Sequence, residues 1–190
     1  MDNTKQRQEA IEEAKRIVSL KPVYFDTETT GTHNTAEIVE ISFVDHNGIV
    51  ILDTLIKPQS LIPEGATNVH HISNEMVASA PTWADAWPKI KGIISNQRLA
   101  IYNADFDLRL IKQTHLQAGL VWEPVGAKAS CVMLLYAKFY GEWNEYRGNY
   151  KWQSLEKAGR QCQLEIPNSH RAKDDTLLTR AVLHFMAGAK

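Results

Sequence analysis

The sequence predicts a single α/β domain built on a mixed sheet. Two observations lead to this prediction: three strand patterns follow one another before the first internal helix pattern, and His46-Asn47-Gly48 separates the second strand from the third. An Asn-Gly turn is typical of a β-hairpin, so these two strands are expected to be antiparallel. A further strand and several helices follow, which is the element order of an α/β domain with a mixed sheet.

Each element has its own signal in chain order. Apolar residues at helical spacing predict a leading helix within residues 1–21, and residues 22–190 are then one domain. Strands are predicted from Pro22 through Phe25, over 37–44 and over 49–56, followed by a loop bounded by Pro58 and Pro63. A helix over 82–95 precedes a strand over 99–102. Further helices are predicted over 106–120, 131–139, 154–162 and 172–186.

Composition places few limits on the function. A chain of 190 residues with 44% hydrophobic residues buries one sizeable core, and its formal charge of −1 gives no overall attraction to a polyanion. Cys131 and Cys162 lie far apart and have no metal-ligand spacing. Without a secretory signal or a long apolar span, we expect reduced thiols, a cytoplasmic location and no membrane partner.

Asp26 and Glu28 are the most informative pair of residues. They lie two positions apart at the end of an apolar, β-prone segment, and such residues point to the same face of a strand. Two carboxylates held this close repel each other unless a cation lies between them. The pair therefore predicts a metal site, although a solvated strand end is the alternative for this motif alone.

Two later segments contain further candidate ligands. Asp107 follows the predicted strand over 99–102 within Asn-Ala-Asp-Phe-Asp, and His170 and Asp175 lie near the C-terminal end. Oxygen ligands without cysteine favour Mg²⁺ or Mn²⁺ over zinc. Taken singly, the Asn103 segment also fits a helix N-cap and His170 a structural histidine. Together, a metal cluster and one histidine indicate hydrolysis of a phosphodiester.

These residues resemble the three motifs of the DEDDh 3′→5′ exonucleases, D-x-E-T-T-G, H-N-A-x-F-D and H-x-A-x-x-D. That family includes the proofreading epsilon subunit of bacterial DNA polymerase III. The matching positions are Asp26, Glu28, Asp107, His170 and Asp175. Tyr102 stands where the second motif often has histidine. Neighbouring positions on a helix differ by about 100°, so Asp105 and Asp174 are expected to face solvent or to cap a helix.

The resemblance implies a ribonuclease H-like fold with a mixed five-stranded sheet, helices on both faces and an antiparallel second strand. It implies two divalent ions, Mg²⁺ or Mn²⁺, with Asp26 bridging both. Glu28 and Asp175 would complete the first ion site, and Asp107 would hold the second ion. His170 would accept the proton of the attacking water. The expected product is a nucleoside 5′-monophosphate.

The same resemblance suggests a substrate pocket. Thr29, Thr30 and Gly31 correspond to the turn that contacts the 3′-terminal nucleotide, and His70 corresponds to a histidine near the terminal base. A helix-end histidine is the alternative for His70, and His71 stands where the family usually has glycine. The segment 140–152 contains five aromatic residues with Arg147 and Lys151. It either guides a single strand or anchors a loop to the core.

Three functions remain open from the sequence. The first is an exonuclease acting on single-stranded or frayed 3′ ends of DNA, and the second is an RNA exonuclease similar to oligoribonuclease or ribonuclease T. The third is a non-catalytic module that binds nucleic acid or a polymerase, but the retention of all five motif residues argues against it. Few residues follow Phe185, so we expect a free-standing nuclease, and a polymerase partner is not indicated.

Overall fold

A five-stranded mixed sheet forms the centre of the molecule, whose computed structural model describes residues 3–188. Its strands lie in the order β3-β2-β1-β4-β5, and β2 is antiparallel to both of its neighbours while β1, β4 and β5 are parallel. The strands are β1 Val23–Thr29, β2 Ile38–Val44, β3 Val50–Leu55, β4 Arg98–Ile101 and β5 Lys128–Cys131. The predicted mixed sheet with an antiparallel second strand is confirmed.

Eight helices and a small hairpin complete the described chain. The helices are α1 Asn3–Ser19, α2 Glu64–His70, α3 Asn74–Val77, α4 Trp83–Ile94, α5 Ala104–Gln117, α6 Val132–Tyr140, α7 Leu155–Gln161 and α8 Ala172–Gly188. The hairpin strands are β6 Trp143–Asn144 and β7 Asn149–Tyr150. Thr82 and Asp85 form a capping box at the start of α4, and Ser154 caps α7. The predicted helices over 82–95 and 154–162 are confirmed.

Alternating side chains of the strands divide the core between the two faces of the sheet. Tyr24 packs with apolar residues of α1, α6, α7 and α8 on one face. Phe25 packs with apolar residues of α4 and α5 on the other face. Helices therefore cover both faces, as expected. Because alternate residues of a strand share a face, Asp26 and Glu28 lie on the α8 side with Tyr24.

The first strand is longer than the sequence predicts. We expected it to end at Phe25, but it continues to Thr29 because β2 pairs with it as far as Glu28 opposite Glu40 and Thr29 opposite Ile38. Both acidic residues therefore lie within a paired strand rather than at its free end. Their backbone is fixed by the sheet.

Five short elements were not located from the sequence. The edge strand β5 has the sequence Lys-Ala-Ser-Cys, which is only four residues long and contains no β-branched or aromatic residue to mark it as a strand. Helices α2 and α3 have only seven and four residues, too few to show a helical period, and they lie between the predicted loop and the predicted helix over 82–95. The β6–β7 hairpin has two residues in each strand. Their stability comes from tertiary contacts rather than from a local pattern.

The predicted leading helix is α1, and it packs into the core of the α8 face. Ala10, Ile11, Ala14 and Ile17 are buried there. Among residues 3–188, no helix combines the length and the apolar character that a membrane span requires. Cys131 and Cys162 are free, and Cys162 is buried. The division of the chain after residue 21 stays a prediction.

Candidate active site

Asp26, Glu28 and Asp175 form a compact cluster of carboxylates. One ligand oxygen from each residue lies within 4.8 Å of the others. Strand β1 presents the first two side chains on one face, and α8 crosses that face with Asp175 in its first turn. The close approach follows from the two-residue repeat of the strand and from the packing of α8 on β1.

Asp107 reaches the same region from the opposite face of the sheet. It lies in the first turn of α5, is buried, and its Oδ1 accepts a hydrogen bond of 2.8 Å from the Thr27 hydroxyl. Asp107 lies outside the three-carboxylate cluster. It nevertheless lines one cavity of about 220 Å³ together with Asp26 and Asp175. Thr27, between the two acids of β1, thus orients the fourth acid.

His170 lines this cavity from the loop before α8. Its side chain is exposed, and its backbone has a φ of 52°, a left-handed conformation that is costly for a residue with a Cβ. Residues in such conformations cluster at functional sites because the surrounding structure must hold them there. The cavity therefore brings together four of the five predicted residues, and Glu28 joins them through Asp26 and Asp175.

The carboxylates have raised pKa values because they are buried together. Burial is the main cause of the raised pKa of Asp26, and the charges of Asp107, Glu28, Asp175 and Glu40 add to it. Burial and the neighbouring charges of Asp175, Glu40 and Asp107 raise the pKa of Glu28 to about 8. Burial likewise raises the pKa values of Asp107 and Asp175 to about 7.

These groups fit a hard divalent cation. Within residues 3–188, Asp175 Oδ1 is buried and accepts no hydrogen bond. A buried oxygen without a partner is costly, and a cation at this position would remove the cost. It would also compensate the mutual repulsion of the acids, and the all-oxygen donor set favours Mg²⁺ or Mn²⁺.

Glu40 and Arg171 belong to the site but were missed in the sequence. Glu40 lies on β2 directly opposite Glu28 and is buried, and it binds Arg171, the residue after His170. The sequence contained a signal for this residue, because Glu40 is the one charged residue in strand β2, and all seven residues of that strand are buried. A buried carboxylate requires a charged or hydrogen-bonding partner, so a cation could have been sought nearby.

The predicted substrate residues surround the end of β1. Thr29 Oγ1 donates to the carbonyl of Gly31 at 2.7 Å, and Thr30 Oγ1 accepts from the Glu37 N–H at 2.9 Å. Gly31 has a φ of 155°, and a Cβ there would lie 3.1 Å from the His33 ring. Both threonine hydroxyls therefore shape the turn, and a contact with substrate stays a prediction.

His70 is buried at the end of α2 and supports the same turn. Its Nδ1 accepts from the Ile72 N–H at 3.0 Å, so Nε2 carries the proton and donates to the Thr29 carbonyl at 3.2 Å. Burial lowers the pKa of His70 and favours this neutral form. His70 is the last residue of α2, as the alternative reading of a helix-end histidine expected. A contact between His70 and a terminal base stays a prediction.

The remaining acids and the departure from the second motif have structural roles. Asp105 is exposed, and Asp174 accepts a hydrogen bond of 2.7 Å from the Ser169 hydroxyl in the loop before α8. Both placements agree with the expectation that these acids face away from the cluster. Tyr102 donates its hydroxyl to the Gln153 carbonyl at 2.9 Å and thereby ties β4 to the segment before α7.

Comparison with known proteins shows to which family the chain belongs. The RNase_T family model, described as an exonuclease, matches residues 23–183. The chain belongs to this exonuclease family. An uncharacterized exonuclease of Escherichia phage 186 is 37% identical over 179 residues, covering 92% of both chains. A DNA polymerase III epsilon subunit of Treponema pallidum is 29% identical and matches 84% of this exonuclease and 75% of the subunit.

Solved structures agree with the family. Exonuclease X, in complex with 5′-overhanging duplex DNA, is 26% identical with a TM-score of 0.63, covering 86% of this exonuclease and 90% of that chain. Exonuclease I has a TM-score of 0.67 at 18% identity over 84% of this chain and 39% of that one, which shows the shared fold. The expected ribonuclease H-like fold and the likeness to epsilon are confirmed.

Proposed function

We propose that this exonuclease is of the DEDDh type and acts in the 3′→5′ direction, hydrolysing the terminal phosphodiester of DNA to release nucleoside 5′-monophosphates. The convergence of four acids and one histidine is the observation that supports it. Asp26, Glu28 and Asp175 lie within 4.8 Å of one another, while Asp107 and His170 line the same cavity. The order of these residues in the chain matches the family motifs.

The acids are proposed to hold two divalent ions, Mg²⁺ or Mn²⁺. Bound there, such ions would supply charge stabilisation to the attacking and leaving oxygens of the phosphodiester. Asp26 is central because it lies in both the carboxylate cluster and the cavity. Glu28 and Asp175 complete one side of the site, and Asp107, oriented by Thr27, completes the other.

His170 is proposed to take the proton of the water that attacks the phosphate. Imidazole suits this role because its ordinary pKa lies near neutral pH. The ring is exposed at the cavity wall, where solvent can remove the proton after each turnover. Thr29, Thr30, Gly31 and His70 are proposed to position the terminal nucleotide, with His70 acting through the Thr29 carbonyl.

Single-stranded or frayed DNA is the proposed substrate. The relatives named as DNA polymerase III subunits and the DNA complex of exonuclease X support DNA over RNA. The cytoplasmic location stays a prediction.

Incubation with 5′-labelled single-stranded DNA and RNA of one sequence tests the proposal, in Mg²⁺, in Mn²⁺ and in EDTA. A ladder that shortens by single nucleotides on DNA, and that EDTA abolishes, is expected. Asp107→Asn should remove the ladder, whereas Asp105→Asn, a matched change at an exposed acid two residues earlier, should leave it intact. Degradation from the 5′ end, or a ladder on RNA alone, would contradict the proposal.

A further inference from the structure

The β6–β7 hairpin is a preformed structure rather than an irregular loop. The rings of Trp143 and Tyr150 pack edge to face across its strands with centroids 5.1 Å apart. Gly148 takes the left-handed conformation that the turn requires, with a φ of 63°, and the Asn144 side chain accepts from the Arg147 N–H at 3.1 Å. A ligand that binds here meets a surface that is already ordered.

One side of the hairpin contains a second pocket, with a volume of about 260 Å³. Its lining combines two aromatic rings, two cations and two side-chain amides, from Asn144, Arg147, Asn149, Tyr150, Lys151 and Trp152. The Trp152 side chain is exposed, so its indole face is available to a ligand. Aromatic faces stack on bases, cations contact phosphates, and amides bind base edges. The pocket therefore has the chemistry of a nucleotide site.

The hairpin pocket lies close to the catalytic cavity. Trp152 lines the pocket and Ser154 lines the cavity, and two residues of extended chain span at most about 7 Å. Gln153, between them, is buried and accepts the Tyr102 hydroxyl through its carbonyl. Tyr102 itself lines the cavity. The two sites are thus held at a fixed separation by a buried hydrogen bond.

We propose that the hairpin pocket binds a nucleotide of the single strand on the 5′ side of the bond being cleaved. This inference rests on the proposed exonuclease function, since it assumes that the 3′ end occupies the cavity. Stacking on Trp152 and Tyr150 would hold the base, and Arg147 would contact a phosphate. Within residues 3–188, the Arg147 guanidinium makes no hydrogen bond or ion pair, whereas Lys151 is paired with Glu142 at 2.7 Å.

Because Glu142 already balances Lys151, Arg147 supplies the main free charge of the pocket. Each phosphate contact on a single strand contributes roughly 0.7 to the slope of log binding constant against log salt concentration. Arg147→Ala should lower this slope by about that amount, whereas Trp152→Ala should weaken binding at every salt concentration without changing the slope. The two variants therefore separate phosphate contact from base stacking.

Fluorescence anisotropy with a labelled DNA 12-mer in EDTA measures this binding without cleavage. Trp152→Ala is expected to weaken binding about tenfold, a loss within the range for one stacked base. The matched controls are Tyr146→Ala, at the exposed hairpin tip outside the pocket, and Arg98→Ala, at the start of β4. Unchanged binding by Trp152→Ala and Arg147→Ala, with folding verified by circular dichroism, would overturn the proposal.

Cleavage of two substrate lengths gives an independent test. A dinucleotide reaches only the cavity, so Trp152→Ala should cleave it as the unmodified protein does while losing about tenfold in kcat/KM on the 12-mer. An equal loss on both substrates would overturn the hairpin site. If the unmodified protein cleaves neither substrate in Mn²⁺, the proposed function fails, and the anisotropy measurement still decides whether the pocket binds a strand.

Discussion

Buried Glu40 and half-exposed Arg171 link β2 to the start of α8. The Arg171 Nε lies 3.1 Å from both carboxylate oxygens of Glu40, and Glu40 Oε2 also accepts the Ala172 N–H at 2.8 Å. Glu40 therefore fixes the first residue of α8 and the residue that follows His170. Through these contacts it sets where His170 and Asp175 lie relative to Asp26.

Glu40→Gln should lower kcat by about 10- to 100-fold with little change in KM. Glutamine can still accept the Ala172 N–H, but it loses the charged contact with Arg171 that holds the loop before α8. A displacement of about 1 Å at a reacting group can cost about 100-fold in rate. Steady-state kinetics on a single-stranded DNA 12-mer measures the effect, and Glu123→Gln, in the exposed pair with Lys91, is the control.

A double-mutant cycle shows whether Glu40 acts through His170. Residues that act as one unit are not additive, so Glu40→Gln should have little further effect in a His170→Ala protein. Hydrogen exchange of residues 163–171 should also increase in Glu40→Gln. Additive losses in the cycle, with unchanged exchange, would show that Glu40 affects activity by some other route.

The metal-free protein should be destabilised by its own acids as the pH rises. The pKa of Glu28 is raised to about 8 in the folded state, whereas an unfolded glutamate has a pKa near 4.3. Between these values the folded state retains a proton that the unfolded state releases, so the free energy of unfolding falls as the pH increases. The contribution of Glu28 to stability is complete below about pH 4 and is lost by about pH 8.

Glu28→Gln isolates this effect because glutamine does not titrate. In EDTA, the variant should match the unmodified protein at pH 4 and exceed its free energy of unfolding at pH 8.5 by about 2 to 4 kcal/mol. Urea unfolding at both values measures the difference, with Glu123→Gln as the exposed control. A variant that is less stable than the unmodified protein at pH 8.5 would contradict the picture of crowded, mutually repelling carboxylates.

His71→Gly should stabilise the protein by about 0.5 to 1 kcal/mol. His71 ends α2 with a φ of 60°, a left-handed conformation that costs a residue with a Cβ about 1 to 2 kcal/mol. Part of the gain is lost to the greater freedom of glycine in the unfolded chain. Urea unfolding measures the change. Ala78→Gly, at the right-handed end of α3, should lower stability, and equal effects of both changes would contradict this explanation.

The sequence predicted most of the sheet and the positions of the acids because both depend on local periodicity. The two-residue spacing of Asp26 and Glu28 was sufficient to place them on one face, and apolar residues at helical spacing located the helix over 82–95. The Glu40–Arg171 link joins residues 131 positions apart, so no local pattern shows it. The edge strand β5 likewise depends on pairing with β4.

The substrate turn shows the same limit. The sequence placed His70 near the 3′-terminal nucleotide by resemblance, but its two ring hydrogen bonds, to Thr29 and Ile72, depend on how α2 packs against β1. The four-residue and seven-residue helices around it are too short to have a readable period. Tertiary packing, rather than propensity, determines their structure.

The most direct measurement is the release of a 3′-terminal labelled nucleotide from single-stranded DNA in Mn²⁺. The unmodified protein should release labelled nucleoside monophosphate as its first product. Asp175→Asn should lower that rate at least about 1,000-fold, since it removes one acid of the three-carboxylate cluster, and Asp174→Asn should remain within about threefold of the unmodified protein. Retained release by Asp175→Asn, or label found only in longer fragments, would contradict a 3′→5′ exonuclease built on this cluster.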